Sequence, residues 1–266
     1  MAGAVGAYNA SSLFFEEPVK FEEQVMDELG LKASPVSTQI VEPEFLVDYQ
    51  GSVVSAFGVI ADLSDDMRHL QRNEIGEVGE YFEAKQVGSS TMPQKRNPIN
   101  FENVKSMWKA IMPRMMTAYM DQLSEHQRDL TNSASMRFIP EILAGFYVSV
   151  VRLEKVMSNL VVDKNNIQRN FNMNKHMIVA EPLYILLAAN GHPDAHEYAR
   201  EMTLKSQLEK VPLIKLVKKD KSIQPYLKKL NKKQLGILYN PESYIGIASE
   251  KTEMVCGHWK KELNIG

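Results

Sequence analysis

Little in the 266-residue sequence points to an oxidising compartment, a membrane or a polyanionic partner. Cys256 is the only cysteine, which excludes an intramolecular disulfide and favours the reducing cytoplasm. No run of about 18 apolar residues occurs, so no membrane contact is expected. The formal net charge of −2 provides no bulk attraction to nucleic acid. With 44% hydrophobic and 24% charged residues, the composition is that of an ordinary globular protein.

Strand-like alternation is also scarce, whereas helical spacing recurs in three long stretches. In each stretch the apolar residues follow one another at intervals of three and four, which predicts a long helix with one buried seam. Pro113 lies inside the second stretch and is expected to kink that helix without ending the apolar pattern. The expected fold is an all-α elongated helical bundle of a kind that often oligomerises. The predicted seams are Tyr49, Val53, Ala56, Ile60, Leu63, Met67 and Leu70; Phe101, Val104, Trp108, Ile111 and Met115; and Ile139, Leu143, Phe146, Val150, Leu153, Met157 and Leu160.

The pattern changes near residue 162, after which the predicted helices are shorter and prolines recur. We therefore predict a helical-bundle domain over 1–162 and a small helical domain over 163–266. Between residues 215 and 233 the second domain carries eight lysines and one acid, Asp220. A nucleic-acid surface is one interpretation of this stretch. We prefer a solvated helix face, because Tyr226 is the only aromatic residue among the lysines.

The most informative segment lies between the first two helices. It ends in Gly-Ser-Ser-Thr-Met-Pro-Gln-Lys-Arg-Asn-Pro at residues 88–98, within a loop predicted over 86–98. The segment contains two adjacent hydroxyl side chains, a lysine and an amide side chain. A loop of this kind also leaves backbone N–H groups free to donate. Such groups can bind a carboxylate while a hydroxyl removes a proton from the neighbouring carbon. An ordinary connector rich in Gly, Ser and Pro is the alternative.

The same eleven residues resemble the signature loop of the fumarase/aspartase superfamily, Gly-Ser-Ser-x-Met-Pro-x-Lys-x-Asn-Pro, at every fixed position. The resemblance implies that Ser89 is the general base and that Lys95 and Asn97 bind the carboxylate on which negative charge accumulates. Preorganised donors at such a position are usually the largest catalytic contribution. It further implies that Ser90 contacts substrate and that Glu102 orients the loop.

A second segment, residues 125–137, resembles the part of adenylosuccinate lyases that grips the phosphate and ribose of the nucleotide. Arg128, Ser133 and Arg137 stand at the matching positions. Two guanidinium groups and a hydroxyl suit a phosphate, because guanidinium binds phosphate through paired hydrogen bonds. Two surface arginines near a helix start are the alternative.

Shorter matches extend the resemblance along the whole chain in family order. Gly-Ala-Val-Gly at residues 3–6 and Thr-Gln at 38–39 resemble loops of the same lyases, which places Gln39 at a substrate-binding position. Phe-Glu-Asn at 101–103 follows the signature as in one branch, which places Asn103 at a ligand contact. Residues 180–182 and 244–246 resemble landmarks of the C-terminal domain of the family.

The activity implied is β-elimination of fumarate from adenylosuccinate, giving AMP, and from the succinyl-carboxamide ribotide SAICAR of purine synthesis. No metal or organic cofactor is expected. His192 and His196 are four residues apart, but Pro193 between them and the lack of a third ligand favour a surface pair over a metal site. Argininosuccinate lyase, a carboxymuconate cycloisomerase and a non-catalytic helical oligomerisation scaffold are the alternatives.

Family members are longer than this chain, which corresponds to their C-terminal portion. The chain is therefore expected to lack the N-terminal domain and the segment with the general-acid histidine. His126 is the only histidine near the predicted site. In the family, three subunits of a homotetramer build each active site. The expected partners are thus further copies of the chain, or a separate polypeptide supplying the N-terminal half, and a small nucleotide substrate, with neither nucleic acid nor membrane.

Overall fold

The computed structural model describes residues 1–82, 91–92, 94–127 and 129–265. The chain divides into two compact units, Met1–Asp163 and Lys164–Gly266. Regular structure in the described part is almost entirely helical, which confirms the all-α prediction. None of the described helices is long and apolar enough to traverse a bilayer. The helices are α1 (Pro18–Glu28), α2 (Glu44–Leu70), α3 (Ile99–Ile111), α4 (Arg114–Met120), α5 (Phe138–Ser158), α6 (Lys164–Ile178), α7 (Ala180–Ala189), α8 (Ala195–Glu209), α9 (Leu213–Lys219), α10 (Gln224–Leu227), α11 (Lys232–Tyr239) and α12 (Ala248–Leu263).

The first unit is built on three mutually packed helices, α2, α3 and α5. Each helix buries one apolar face against the other two, because helices with a single apolar stripe must cover it to fold. Phe57, Phe101 and Ile142 are fully buried where the three helices meet. The ring of Phe57 also lies 5.6 Å from that of Phe146, at a tilted angle. This bundle is the rigid frame on which the candidate site residues of the unit are mounted.

The buried faces of α2 and α5 differ from the predicted seams by about one residue. On α2 the predicted Tyr49 and Leu63 are exposed, whereas Val53, Ile60 and Met67 flank the core. Apolar spacing did not identify the buried face of α2 because two of its residues, Gln50 and Ser64, are polar. Their side chains donate to backbone carbonyls one turn earlier. The residues that face the core are Val47, Gln50, Val54, Phe57, Ala61 and Ser64 on α2, and Ile142, Gly145, Ser149, Leu153 and Val156 on α5.

Close approach of α3 and α5 depends on a glycine. A Cβ atom on Gly145 would stand 2.0 Å from Cδ1 of Ile111. The hydroxyl of Ser149, one turn later, donates to the Gly145 carbonyl at 2.8 Å, so this buried polar atom needs no partner from another helix. The two helices can therefore pack with Ile111 inserted into the groove at Gly145.

Pro113 divides the second helix into two, while the apolar pattern continues across it as predicted. Helix α3 ends at Ile111 and α4 begins at Arg114. Proline has no N–H to donate and its ring clashes with the preceding turn. Met112 and Pro113 nevertheless keep right-handed helical torsions. As a result Met115 stays on the core side, as the apolar spacing predicted.

A short antiparallel pair connects the ends of the bundle helices. Strand β1 (Val78–Gly79) pairs with β2 (Val161–Val162), with Val78 opposite Val162. The N–H of Asp163 donates to the Glu77 carbonyl at 2.9 Å and extends the pairing. This contact holds the chain that follows α2 beside the chain that follows α5, and it positions the segment leading to the signature loop.

The second unit, Lys164–Gly266, packs short helices around its own core, in which Leu187, Leu213 and Leu238 are fully buried. A capping box at Asn231 and Gln234 defines the start of α11. The two segments that resemble C-terminal landmarks of the family are joined here, because the Tyr244 hydroxyl donates to the Glu181 carboxylate at 3.1 Å. The core and these bonds give the unit a hydrophobic centre of its own.

Candidate functional site

Three of the predicted catalytic residues line one cavity of about 1040 Å³ in the first unit. Lys95, Asn97 and Glu102 contribute to its wall, together with residues of β1 and the end of α2. We call it the Lys95 cavity. Ser89 and Ser90 lie outside the described residues. The sequence match and the cavity therefore agree on Lys95, Asn97 and Glu102 as neighbours.

The backbone around Pro98 explains how these side chains are presented. The N–H of Lys95 donates to the Met92 carbonyl at 3.0 Å, which turns the chain before the helix. The N–H of Glu102 donates to the Pro98 carbonyl at 2.8 Å, the first helical bond of α3. Proline disfavours the helical region for the residue before it, so Asn97 stays outside the helix. Asn97 thus lies just before α3, and Glu102 lies in its first turn.

Four cations and four acids line the Lys95 cavity; the acids are Glu74, Glu80, Glu102 and Asp163. Arg68 and Arg72 on and after α2, and Arg96 beside Lys95, all contribute to its wall. Neither Lys95 nor Arg72 forms an ion pair with any residue in the described part of the chain. Their charges are therefore available to an anion, which is the chemistry expected of a site for a dicarboxylate.

Arg68 differs from the other cavity cations because its charge is balanced. It donates to Asp65 at 2.6 Å, and Lys105 on α3 donates to the same carboxylate at 2.9 Å. Hydrogen bonds from Arg68 and Lys105 lower the pKa of Asp65 to about 2. This three-residue cluster ties α2 to α3 beside the cavity wall.

Sequence reasoning missed Glu80 and Gln71, which connect the cavity to the helices. Glu80 is buried and its carboxylate accepts from the N–H groups of Asn100 and Phe101. Gln71 accepts from the N–H of Glu80 and donates to the carbonyl of Arg96 at 3.4 Å. No local signal identifies either residue, because their partners lie 9 to 25 positions away.

A second cavity, of about 770 Å³, lies at the other end of α2 and contains two more predicted residues. Gln39 and Ser133 line it, and we call it the Ser133 cavity. Ten of its 18 wall residues are apolar, and the other eight are polar, including the acids Glu42, Asp121 and Asp129. The apolar wall residues are Ile40, Val41, Pro43, Phe45, Leu46, Val47, Tyr49, Ala118, Leu130 and Met136.

A glycine brings the N-terminal loop to the Thr38–Gln39 segment. Gly6 has a φ of +67°, and a Cβ there would stand 2.0 Å from the Ser37 carbonyl oxygen. Only glycine accommodates both the left-handed backbone and that approach. The Thr38 hydroxyl donates to the Ile40 carbonyl at 2.6 Å and shapes the turn that carries Gln39. Two segments that matched the family separately are thus adjacent in space.

The predicted phosphate clamp is only partly described. Asp121, just after α4, holds the described part of the segment 125–137 in place. Its carbonyl accepts from the Asn132 side chain, and its carboxylate accepts from the Ser135 hydroxyl. Arg137 is exposed before α5 and does not line the Ser133 cavity. Arg128 lies outside the described residues. Asn103 is exposed on α3 and lines neither cavity.

The two cavities stand at opposite ends of one helix. Gln50 lines the Ser133 cavity and Arg68 lines the Lys95 cavity. A rise of 1.5 Å per residue places these two positions about 27 Å apart along α2. One nucleotide cannot span that distance, so a single copy of the chain does not bring all the predicted residues to one ligand.

Comparison with known proteins identifies the chain. A model described as adenylosuccinate lyase C-terminal matches residues 124–245, and one described as lyase matches residues 1–112. An adenylosuccinate lyase of Pyrococcus horikoshii is 35% identical over 258 residues, covering 96% of this chain and 56% of that protein. One of Archaeoglobus fulgidus is 32% identical over 99% of this chain and 58% of its own length. The chain belongs to the adenylosuccinate lyase family. It spans a little over half the length of these relatives.

Solved structures agree with membership of the adenylosuccinate lyase family at the level of the fold. The β-carboxy-cis,cis-muconate cycloisomerase of Acinetobacter calcoaceticus matches with a TM-score of 0.75 at 22% identity, covering 97% of this chain and 56% of that one. A fumarate lyase of Mesorhizobium matches with a TM-score of 0.74 at 18% identity, covering 95% and 56%. Both belong to fumarate-lyase-type folds, and both likenesses concern the fold alone.

The described residues of this family member contain no cluster of His, Cys, Asp and Glu that could hold a metal ion. His192 and His196 contact different rings, because His192 lies 5.0 Å from the Tyr226 ring and His196 lies 5.4 Å from the Tyr184 ring. Their arrangement therefore explains them as part of the aromatic packing of the second unit.

Proposed function

We propose that the chain carries the catalytic signature loop of an adenylosuccinate lyase, which eliminates fumarate from adenylosuccinate to give AMP and acts likewise on SAICAR. The observation that carries the proposal is the joint presence of Lys95, Asn97 and Glu102 in the wall of one cavity. Family membership and the names of the relatives support the choice of substrate. The cycloisomerase reading rests on fold likeness only and is not favoured by any residue of the site.

In the proposed reaction, Ser89 removes a proton from the carbon next to the substrate carboxylate. The electron pair left behind is first held on the substrate as an aci-carboxylate intermediate. It then forms the double bond of fumarate as the carbon–nitrogen bond breaks, and the departing nitrogen takes a proton from a general acid, which the resemblance places in the N-terminal part of the family. Lys95 and Asn97 hold the carboxylate on which charge develops before that bond breaks. Because Lys95 has no ion pair in the described structure, its full charge stabilises this intermediate. Glu102 orients the loop from the first turn of α3.

We further propose that one complete site draws on several copies of the chain. The Lys95 and Ser133 cavities lie about 27 Å apart on the same helix, so the carboxylate site and the phosphate site for one nucleotide belong to different copies. Large apolar side chains on the outer faces of α2 and α5 support association, including Val59 and Tyr147, each 69% exposed. A homotetramer, or an assembly with a separate polypeptide resembling the N-terminal half, is the proposed state.

The first test is an adenylosuccinate cleavage assay followed by absorbance. Lys95→Ala removes a preorganised cation, and we expect kcat/KM to fall about 10²- to 10³-fold. Ser89→Ala is expected to abolish turnover. Lys155→Ala changes the same kind of side chain at an exposed position of α5 away from either cavity and serves as the control. Equal activity in wild type, Lys95→Ala and Lys155→Ala would contradict the assignment.

Mixing two inactive variants tests the shared site. Lys95→Ala damages the carboxylate site, and Ser133→Glu repels the phosphate. If the two sites of one nucleotide come from different copies, random mixing regenerates roughly a quarter of the active sites. If they come from one copy, mixing restores nothing. Should the chain alone be inactive, AMP binding that is retained in Lys95→Ala and lost in Ser133→Glu separates a half-enzyme from a wrong assignment.

A further inference from the structure

The start of α3 has an unusual cap. Pro98 precedes the helix and offers no side-chain acceptor to the first-turn N–H groups. Helix starts leave such groups unpaired unless a side chain, water or ligand accepts from them. Here the carboxylate of Glu80, 20 residues earlier in the chain, takes that role. Its Oε1 accepts from the N–H of Asn100 at 2.8 Å and from that of Phe101 at 3.0 Å.

The cap is charged and buried, which makes it strong. Glu80 is only 6% exposed, so water competes little for its oxygens. A carboxylate at a helix N-terminus also interacts favourably with the helix dipole. Its second oxygen, Oε2, accepts from Nδ2 of Asn100 at 2.6 Å. With three bonds accepted, the carboxylate is occupied by structure and is a poor candidate for proton transfer.

Two further bonds extend this arrangement to both sides of the signature loop. Nη1 of Arg152 on α5 donates to Oδ1 of Asn100 at 3.0 Å and fixes the orientation of that amide. Gln71 accepts from the N–H of Glu80 at 2.9 Å and donates to the carbonyl of Arg96, between Lys95 and Asn97. The end of α2, strand β1 and α5 therefore all hold the segment 96–101.

We propose that Glu80 is the positioning residue that fixes Lys95 and Asn97 against the start of α3. The expected effect on catalysis rests on the proposed function, whereas the contacts between Glu80 and the start of α3 do not. Misplacement of a binding group by about 1 Å costs as much as 10²-fold in rate. The buried carboxylate supplies this precision at the start of α3, next to Lys95 and Asn97 in the chain.

Amide hydrogen exchange tests the cap formed by Glu80 at the start of α3 without any substrate. In Glu80→Ala, exchange at Asn100 and Phe101 should rise about tenfold, because a helix cap of this kind is lost. Exchange at Val104 to Ile111, deeper in α3, should stay unchanged. Glu154→Gln removes an exposed carboxylate on α5 and is the matched control. Equal exchange in wild type and Glu80→Ala would overturn the proposal.

Steady-state kinetics test the link to catalysis. Per folded molecule, Glu80→Ala should lower kcat about tenfold and raise KM, because Lys95 and Asn97 no longer meet the carboxylate correctly. A purely structural loss would reduce the folded fraction and leave KM unchanged. If wild type neither binds nor cleaves the substrate, the proposed function fails. The exchange result still decides whether Glu80 caps α3.

A charge-conserving swap guards against unfolding. Glu80→Gln keeps an acceptor for the two backbone N–H groups, but its new amide faces the Asn100 amide donor to donor. Adding Asn100→Asp supplies an acceptor for that amide and for Arg152. Exchange at Phe101 and KM should return to within about threefold of wild type in the double variant. Failure of the swap to improve on Glu80→Gln in either measurement would overturn the specific geometry.

Discussion

The two compact units bury cores of the same size but differ in charge and in the number of predicted site residues. Eleven side chains form the buried cluster of each unit among the described residues. Residues 1–163 carry 14 Lys and Arg against 23 Asp and Glu, a formal charge of −9, whereas residues 164–266 carry 17 against 10, or +7. Every predicted site residue lies in the acidic unit. The proposed binding of an anionic substrate therefore depends on local cations such as Lys95 and not on the bulk charge of the unit.

The two units also differ in helix length. The 27-residue helix α2 separates two cavities and carries wall residues of both. The helices of the second unit are at most 16 residues long. The variants that follow measure how far the stability of each unit depends on its own contacts.

The largest effects are expected in the two cores. Phe57→Ala in the first unit should cost about 3–5 kcal/mol, and Leu238→Ala in the second about 2–5 kcal/mol, because both side chains are fully buried. Trp108 packs against the first core and reports on it, once Trp259→Phe removes the other tryptophan. In urea unfolding, Phe57→Ala should lower the midpoint of the transition followed by Trp108 fluorescence. Leu238→Ala should instead lower the midpoint of the transition that only the helical circular dichroism signal reports.

Leu208→Ala is the control for this pair, because Leu208 is 84% exposed on α8. It should change neither midpoint measurably. If Leu238→Ala and Phe57→Ala shift the Trp108 signal equally, the two cores unfold as one and the division into units has no energetic meaning.

Replacing one helical glycine in each unit by alanine should change the free energy of unfolding by an intermediate amount, with opposite signs in the two units. Gly145→Ala forces a Cβ to within 2.0 Å of Ile111 Cδ1 and should destabilise the first unit by about 1–3 kcal/mol. Gly236→Ala on α11 meets no atom within 4 Å and should stabilise the second unit by about 0.5–1 kcal/mol. Thermal unfolding monitored by circular dichroism measures both.

Ile111→Val removes the clashing methyl and provides the control. Combined with Gly145→Ala, it should recover part of the lost stability, so the two changes are non-additive. Strict additivity would show that the contact between Gly145 and Ile111 does not limit how closely α3 and α5 pack.

The smallest effect concerns acid stability. Hydrogen bonds from Arg68 and Lys105 depress the pKa of Asp65 to about 2. The folded pKa lies below the unfolded one, so this stabilisation is complete above about pH 4 and disappears as the pH falls through about 2. The half-exposed cluster should contribute roughly 1 kcal/mol. Asp65→Asn should therefore lower the Trp108 midpoint at pH 6 but hardly at pH 2.

Asp62→Asn, one turn earlier and exposed on α2, is the matched control. Its midpoint should follow that of wild type across the same range. An equal loss at pH 6 in Asp62→Asn would assign the effect to general charge instead of to the pairing with Arg68 and Lys105.

Sequence spacing predicted the three long helices, and the second of its three seams was largely correct at Phe101, Val104 and Ile111. The seams of α2 and α5 were displaced because buried Gln50, Ser64 and Ser149 satisfy their polar groups within their own helix. Apolar periodicity cannot detect a polar residue that is buried in this way. The interruption at Pro113 was underestimated for a related reason, since the apolar spacing continues across it.

The sequence by itself determined family membership and the identity of the signature residues, because an eleven-residue string with fixed chemistry needs no coordinates to be recognised. Only the tertiary structure decided which of those residues meet. It joined Lys95, Asn97 and Glu102, separated them from Gln39 and Ser133 along α2, and revealed Glu80 as the cap of α3. The physical reason is distance along the chain: a carboxylate 20 residues from the N–H groups it accepts from leaves no local pattern, and only folding brings the two together.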